Sequence, residues 1–220
     1  MMKSTLGRRN ASQADTVAKR SSNQRFLLWI DGVGGFLTLL GERIVVGQPS
    51  AEGAVDLPIR ADLSRRHCII RREQEGYVLE PVQALSNREI RIDAQRIEGP
   101  TRLADGNVID LGQGVKIKFS QPHALSATAR LVMVSHHKTQ PTADAVLLMS
   151  DTCILGPNSH CHVPCKAWQR DVVLYRRDDD LICRTQGPLE IDSQATDGHA
   201  TIGRNARIEG EDFAIRLESL

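Results

Sequence analysis

The sequence predicts an all-β fold of two tandem antiparallel β-sandwiches. Short apolar runs, either β-branched or alternating with polar residues, recur along the chain, and turn-forming residues separate them. No stretch has the 3.6-residue apolar period of an amphipathic helix. The second half repeats the runs and turns of the first half in the same order. Short strands at regular spacing with turns between them are typical of a sandwich.

Eight runs of the first half have the composition of strands. The first two flank a glycine-rich turn at residues 31–35. Because a strand and not a helix follows these glycines, the turn is not predicted to bind a nucleotide. The predicted strands are residues 26–30, 36–40, 44–46, 68–72, 77–80, 90–92, 108–111 and 115–119.

The two halves align with each other along most of their length. The offset changes only where loops would differ in length, which favours a tandem duplication over chance similarity. Each half, at about 95 residues, is long enough to bury a core of its own. The aligned pairs are residues 36–47 with 145–156, 68–79 with 172–183, and 92–95 with 191–194.

A Pro, Ser and Ala stretch at residues 121–127 marks the predicted boundary between the halves. The sandwiches are therefore expected at residues 24–121 and 128–220. Residues 1–23 are basic, rich in polar side chains and poor in apolar ones, so a disordered tail is predicted there.

Composition excludes several classes of protein. The chain has 28 Lys and Arg against 27 Asp and Glu, whereas a general nucleic-acid binder carries a basic excess. No signal peptide or membrane span is visible, and no membrane partner is expected. Five cysteines without framework spacing indicate reduced thiols, so a cytoplasmic location is predicted.

Three segments of the first half carry a recognisable pattern. Residues 61–70 read Ala-Asp-Leu-Ser-Arg-Arg-His-Cys-Ile-Ile, residues 103–112 read Leu-Ala-Asp-Gly-Asn-Val-Ile-Asp-Leu-Gly, and residues 115–119 alternate as a strand. Together they resemble a forkhead-associated (FHA) domain. The resemblance implies a β-sandwich that recognises phosphothreonine peptides and is not an enzyme.

The resemblance also implies roles for individual residues. Ser64 would donate to a phosphate oxygen, and Arg65 would contact the phosphate or the peptide. Gly47 and His67 would support the loop. The arginine that follows this glycine in the family is replaced by Gln48, which removes a charge-assisted donor.

A second departure falls on the loop that holds the peptide backbone in the family. It aligns with residues 86–89, where Asn87 is followed by Arg88 in place of an asparagine. Arg88 either restores a positive charge at the site or is an ordinary surface arginine. The predicted peptide-binding residues are Gln48, Ser64, Arg65, Asn87 and Arg88.

The second half departs further from the pattern. Pro157 follows its glycine, and residues 168–171 read Trp-Gln-Arg-Asp in place of Ser-Arg-x-His. A degenerate copy without a phosphate site is therefore predicted. Trp168 is either a core residue or an exposed anchor for a partner.

Residues 160–165 gather two histidines and two cysteines. Neighbouring residues of a strand point to opposite faces, and the spacing matches no zinc finger, so neither a metal site nor a nucleophile and base pair is predicted. Zinc bound by Cys161 and Cys165 is a distant alternative.

The function predicted from the sequence is a non-enzymatic interaction or scaffold protein without a cofactor. Its partner would be a protein whose phosphorylated or acidic segment contacts the loops of the first sandwich. The alternative is a structural protein of the same fold that holds an unmodified protein with no dependence on phosphate. The sequence predicts no oligomeric state.

Overall fold

The computed structural model describes residues 25–50, 55–74, 76–82, 89–123 and 125–220. Every regular element within these residues is a β-strand, so the all-β prediction is confirmed. No helix in this part of the chain is long and apolar enough to cross a membrane. The tail predicted at residues 1–23 lies outside the described residues.

The N-terminal half contains eleven strands. They are β1 (Arg25–Ile30), β2 (Gly34–Leu39), β3 (Arg43–Gly47), β4 (Leu57–Pro58), β5 (Cys68–Glu73), β6 (Gly76–Pro81), β7 (Arg91–Ile92), β8 (Gln95–Arg96), β9 (Thr101–Leu103), β10 (Val108–Asp110) and β11 (Lys116–Ser120).

The C-terminal half contains a further eleven. They are β12 (Ala129–Met133), β13 (Ala145–Leu148), β14 (Thr152–Gly156), β15 (Val163–Pro164), β16 (Val172–Arg177), β17 (Asp180–Thr185), β18 (Leu189–Ile191), β19 (Gln194–Thr196), β20 (His199–Ile202), β21 (Arg207–Glu209) and β22 (Ala214–Ser219).

The strands form three sheets. The central sheet has twelve strands in the order β19-β18-β21-β22-β1-β2-β13-β12-β11-β10-β7-β8. The N-terminal outer sheet has the order β4-β3-β5-β6-β9, and the C-terminal outer sheet has the order β15-β14-β16-β17-β20. Each outer sheet packs against the central sheet, so the molecule is built of β-sandwiches.

The first hairpins of the two halves are exchanged in the central sheet. Hairpin β1–β2 pairs through β1 with β22, the last strand of the C-terminal half. Hairpin β12–β13 pairs through β12 with β11, the last strand of the N-terminal half. The two hairpins meet in a parallel pair of β2 with β13, in which Phe36 lies opposite Ala145.

Each core consequently contains side chains from both halves. The core under the C-terminal outer sheet, here called the C-terminal core, includes Phe26, Leu28, Ile30, Phe36 and Leu40. The core under the N-terminal outer sheet, the N-terminal core, includes Ala129, Leu131, Ala143, Val146 and Leu148. The segment at residues 121–127 joins β11 to β12, and the domain limits predicted around it stay a prediction.

The middle strands are buried on both faces, which explains their continuous apolar sequences. In β1, Leu27 contributes to the N-terminal core while Phe26 and Leu28 contribute to the C-terminal core. All four residues of β13 are buried. By contrast, β11 alternates exposed lysines with buried Ile117 and Phe119 because only one of its faces is covered.

Two arginines anchor the exchanged hairpins reciprocally. Arg72 on β5 donates from Nη1 to the carbonyl oxygen of Met149, directly after β13, at 3.0 Å. Arg176 on β16 donates to the carbonyl oxygen of Leu40, directly after β2, at 3.2 Å. Each outer sheet thus holds the hairpin that belongs to the other half of the chain.

Candidate functional site

Strand β3 ends at Gly47, directly against the loop that precedes β5. The backbone N–H of Gln48 donates to the carbonyl oxygen of Ser64 at 3.2 Å. A Cβ on Gly47 would lie 2.1 Å from the carbonyl oxygen of Arg65 and 2.7 Å from that of Ser64. Only a glycine permits this approach, which brings Gln48, Ser64 and Arg65 together.

His67 holds the same loop from inside the sandwich. Its side chain is buried, and its Nδ1 accepts the backbone N–H of Ser64 at 3.4 Å. The backbone N–H of His67 donates to the carbonyl oxygen of Val46 at 2.8 Å, and the backbone carbonyl oxygen of His67 accepts the N–H of Val82 at 3.1 Å. The loop is thereby fixed to β3 and to the end of β6.

The loop presents positive charge to solvent. Arg65 and Arg66 are both exposed, and neither forms an ion pair with another residue that the structure describes. Gln48 and Ser64 are half-buried beside them. The predicted residues Asn87 and Arg88 lie outside the described residues, so their place relative to this loop stays a prediction.

Sequence analysis missed two residues, Arg25 and Asp56, that hold the chain directly before β4. Asp56 accepts the N–H of Val45 through Oδ2 at 2.8 Å. Arg25 donates from Nη1 to the carbonyl oxygen of Asp56 at 3.3 Å. Neither contact belongs to a motif, and an isolated Asp after a loop is the only signal that the sequence offers.

Replacement of Gly47 by alanine is expected to destabilise the protein by about 2 kcal/mol or more, because the new methyl group meets fixed backbone atoms. Gly156→Ala is the matched control in the other half. There the methyl group would first meet Oδ1 of Asp171, at 2.0 Å, and this side chain can rotate away. Urea unfolding of both variants checks the difference, and equal losses would contradict this account of Gly47.

The corresponding loops of the C-terminal half have no free arginine. Arg170 donates from Nη2 to Glu211 and from Nη1 to the carbonyl oxygen of Gln186, both at 2.7 Å. Trp168 is buried in the C-terminal core with its ring 5.1 Å from that of Phe213, so it is a core residue and not an exposed anchor. The cleft beside Arg170, about 820 Å³, is also lined by Asp171 and by the exposed Arg184 of β17.

The cysteines are buried and free of disulfides. Burial raises the pKa of Cys68, Cys153, Cys165 and Cys183 to about 12, so these thiols are protonated at neutral pH. Burial and the neighbouring Asp171 also raise the pKa of Cys161. Among the described residues, no group of three or more His, Cys, Asp or Glu side chains could hold a metal ion.

Comparison with known proteins finds a family match within the N-terminal half. The family profile of the FHA domain matches residues 44–112, a segment that includes Gly47, Ser64, Arg65 and His67. The resemblance to FHA domains is therefore confirmed for this segment. No curated protein sequence matches the chain.

Several solved structures are similar to part of the chain. The FHA domain of FhaA complexed with the intracellular domain of Rv3910 is 25% identical, covering 40% of this chain and 91% of that one, with a TM-score of 0.30. A structure from a study of phosphothreonine-dependent FHA domain interactions is 24% identical over 40% and 88%, with a TM-score of 0.30. Mycobacterium tuberculosis EmbR in complex with a low affinity phosphopeptide is 19% identical over 50% and 30%, with a TM-score of 0.34.

Proposed function

We propose that the protein is a non-enzymatic interaction module whose N-terminal half binds a phosphorylated or acidic segment of a partner protein. The observation that carries this proposal is the close contact of Gln48 with the Ser64 loop beside an exposed Arg65. The match of residues 44–112 to the FHA domain supports it, because that family recognises phosphothreonine peptides.

The chemistry of the loop suits a phosphoryl group. Phosphothreonine carries nearly two negative charges and three strong acceptor oxygens. In the proposed complex the hydroxyl of Ser64 and the amide of Gln48 donate to these oxygens, and Arg65 supplies the positive charge. Loops at one end of a rigid sandwich hold such donors in a fixed geometry.

Gln48 makes the proposed site a weak one. A hydrogen bond from a charged group contributes about 1.5–3 kcal/mol, and a neutral amide contributes less. The affinity for a phosphothreonine peptide is therefore expected to be about 10- to 100-fold below that of a site with an arginine at this position.

The alternative function is the binding of an unmodified protein. It is favoured by the neutral side chain of Gln48 and by the ion-paired state of Arg170 in the corresponding loop of the other half. Both features reduce the attraction for a phosphoryl group. In this alternative the sandwiches act as a scaffold and no phosphate enters the loops.

We also infer that the two halves arose by duplication and that the second copy lost its ligand site. Eleven strands in each half support this, as does the strand order of the central sheet, which reads alike from both ends when the halves are exchanged. Turn residues agree as well. Asp93 accepts the N–H of Val108 at 2.8 Å, and Asp192 accepts that of Arg207 at 2.9 Å.

A titration with paired peptides tests the proposed function. A library of phosphothreonine peptides is expected to bind to the full chain, and their unphosphorylated counterparts are not. Arg65→Ala is expected to weaken binding about tenfold or more through loss of a charge-assisted hydrogen bond. Gln48→Arg is expected to strengthen binding about 10- to 100-fold. Isothermal titration calorimetry measures all three.

Arg177→Ala is the matched control, because Arg177 is exposed on the other half. It is expected to leave the affinity unchanged. Binding of a partner that is indifferent to phosphate and to Arg65→Ala would overturn the proposal in favour of the alternative.

A further inference from the structure

Three histidines and an arginine meet where the segment joining the two halves passes the loop before β15. The ring centroids of His123 and His162 are 5.8 Å apart, and those of His123 and His160 are 6.1 Å apart. Arg130, on β12, donates from Nη1 to the carbonyl oxygen of His162 at 3.2 Å. His162 is fully buried, whereas His123 is half-buried and His160 is exposed. The other two rings are therefore more accessible to solvent than the imidazole of His162.

The imidazole of His162 carries an N–H group without a hydrogen-bond acceptor among the described residues. The backbone N–H of Ile154 donates to Nδ1 of His162 at 2.8 Å, so the proton of the neutral ring is on Nε2. This Nε2 is buried and has no acceptor among the residues that the structure describes. Leu125 donates to Nδ1 of His123 at 3.3 Å in the same way. Both rings offer donors, whereas a metal ion requires the lone pair of a ring nitrogen.

Arg130 adds a positive charge and another unused donor. Its Nε is buried and also lacks an acceptor within the described part of the chain. Asp105 is the acidic residue that acts on it electrostatically, but the Asp105 carboxylate accepts the N–H of Gln121 at 2.8 Å. Nε of Arg130 and Nε2 of His162 are therefore two buried donors, on residues joined by a hydrogen bond, without a bonded carboxylate.

The corresponding place in the N-terminal half has a carboxylate. Asp56 accepts the N–H of Val45 through its side chain, and its carbonyl oxygen accepts a hydrogen bond from Arg25. His162 makes the same two contacts in the C-terminal half, with Arg130 in the role of Arg25. Substitution of an imidazole for the carboxylate removes the negative charge but keeps the arginine.

We propose that this cluster binds a phosphate-like oxyanion, which accepts hydrogen bonds from Nε2 of His162 and Nε of Arg130. The oxyanion supplies the negative charge that Asp56 supplies in the other half. Two N–H donors from different elements, one of them on a positively charged guanidinium, match an acceptor with several oxygens. Free phosphate and a phosphoryl group on a peptide share this chemistry. The site is independent of the loops of Gln48 and Ser64.

Nuclear magnetic resonance of the histidine rings in the full chain tests the proposal. Inorganic phosphate is titrated at constant ionic strength with chloride as the balancing anion. The Nε2 resonance of His162 is expected to shift with phosphate until the site is saturated, and to show no shift with chloride. Thermal unfolding is expected to show a higher midpoint in phosphate than in chloride, because a ligand of the folded state stabilises it.

Two variants test whether phosphate binds at His162 and Arg130. His162→Asp restores the carboxylate of the N-terminal half, and Arg130→Gln removes the charge. Each is expected to weaken phosphate binding about tenfold or more and to abolish the rise in the unfolding midpoint. If His162→Asp does not fold, Arg130→Gln alone decides the matter. Arg177→Ala is the control and is expected to retain the full response to phosphate, because Arg177 is exposed and belongs to neither site.

The proposal is overturned if the resonance of His162 shifts equally with phosphate and with chloride. It is also overturned if the variants keep the full rise of the unfolding midpoint in phosphate. A phosphothreonine peptide titrated into Arg65→Ala distinguishes the two sources. A shift of His162 with the peptide identifies a peptide-borne phosphoryl group, and a shift with inorganic phosphate alone identifies the free anion. Either result is separate from the fate of the proposed peptide site.

Discussion

Neither half of the chain is expected to form a stable folded monomer when it is produced without the other. The C-terminal core would lose the five side chains that hairpin β1–β2 contributes. At about 1.5–3 kcal/mol for each buried side chain, this loss is about 10 kcal/mol. That amount is comparable to the whole stability of an ordinary domain.

A half could regain a hairpin by closing its own onto its last strand, but the side chains do not match. Phe26 and Leu28 would then enter a core that is shaped around Ala129 and Leu131. Overfilling a packed core costs about 1–3 kcal/mol at each site. The other apolar face of the hairpin, which is buried in the intact chain, would be exposed to water.

The experiment uses the intact protein with a protease site inserted within residues 121–127. After cleavage the two fragments are expected to stay associated as a folded one-to-one complex, and to separate only when unfolded. Each fragment purified alone is expected to lack a cooperative unfolding transition, which returns on mixing. Folded, monomeric fragments with their own sharp transitions would contradict the importance of the exchange.

Acidification is expected to destabilise the protein through His162. Burial lowers the pKa of this imidazole to about 4, and the nearby charges of His123 and Arg130 contribute. The unfolded chain has an ordinary histidine pKa of about 6.5 and therefore takes up the proton first as the pH falls. Stability is complete above this value and is lost between about pH 6.5 and pH 4. The loss approaches about 3 kcal/mol.

His162→Asn isolates this effect, because the Asn side-chain oxygen can still accept the N–H of Ile154 but does not titrate. Urea unfolding is measured for both proteins at pH 7 and near pH 4, in buffers free of phosphate and sulfate. The wild-type protein is expected to lose about 3 kcal/mol more than the variant. Carboxylates titrate in both proteins and cancel in the comparison. Parallel pH profiles would show that His162 is not the responsible group.

The strands and the all-β class could be predicted because their cause is local. Apolar runs such as residues 26–30 and 145–148, bounded by turns, have the length and composition of strands whatever they pair with. Shorter elements such as β4 and β8 were not predicted. Two residues carry too little pattern, and their pairing depends on neighbours that are distant in sequence.

The exchange of hairpins could not be predicted, because it is a choice between two similar partners. Hairpin β1–β2 has an apolar sequence, and β11 and β22 are both alternating strands with which it could pair. The local sequence does not determine which of these two strands the hairpin pairs with. The decision lies in the fit of side chains such as Phe26 and Ala129 to one core or the other.

The candidate site was predictable only where a family pattern exists. Ser64, Arg65 and His67 stand in one motif, and their contact with Gly47 follows from the fold that the motif implies. Asp56 was not singled out, and His162 was considered only as a metal ligand or a base, because the role of each is to accept one backbone N–H. This role depends on geometry and leaves no mark in the sequence.

The exchanged hairpins bear on how such a chain can evolve. A duplicated module that has lost its ligand can normally be deleted without harm to its twin. Here deletion of the C-terminal half would remove β12 and β13, and with them part of the core of the half that carries the candidate site. The C-terminal half is therefore a structural complement of the N-terminal half, whatever it recognises itself.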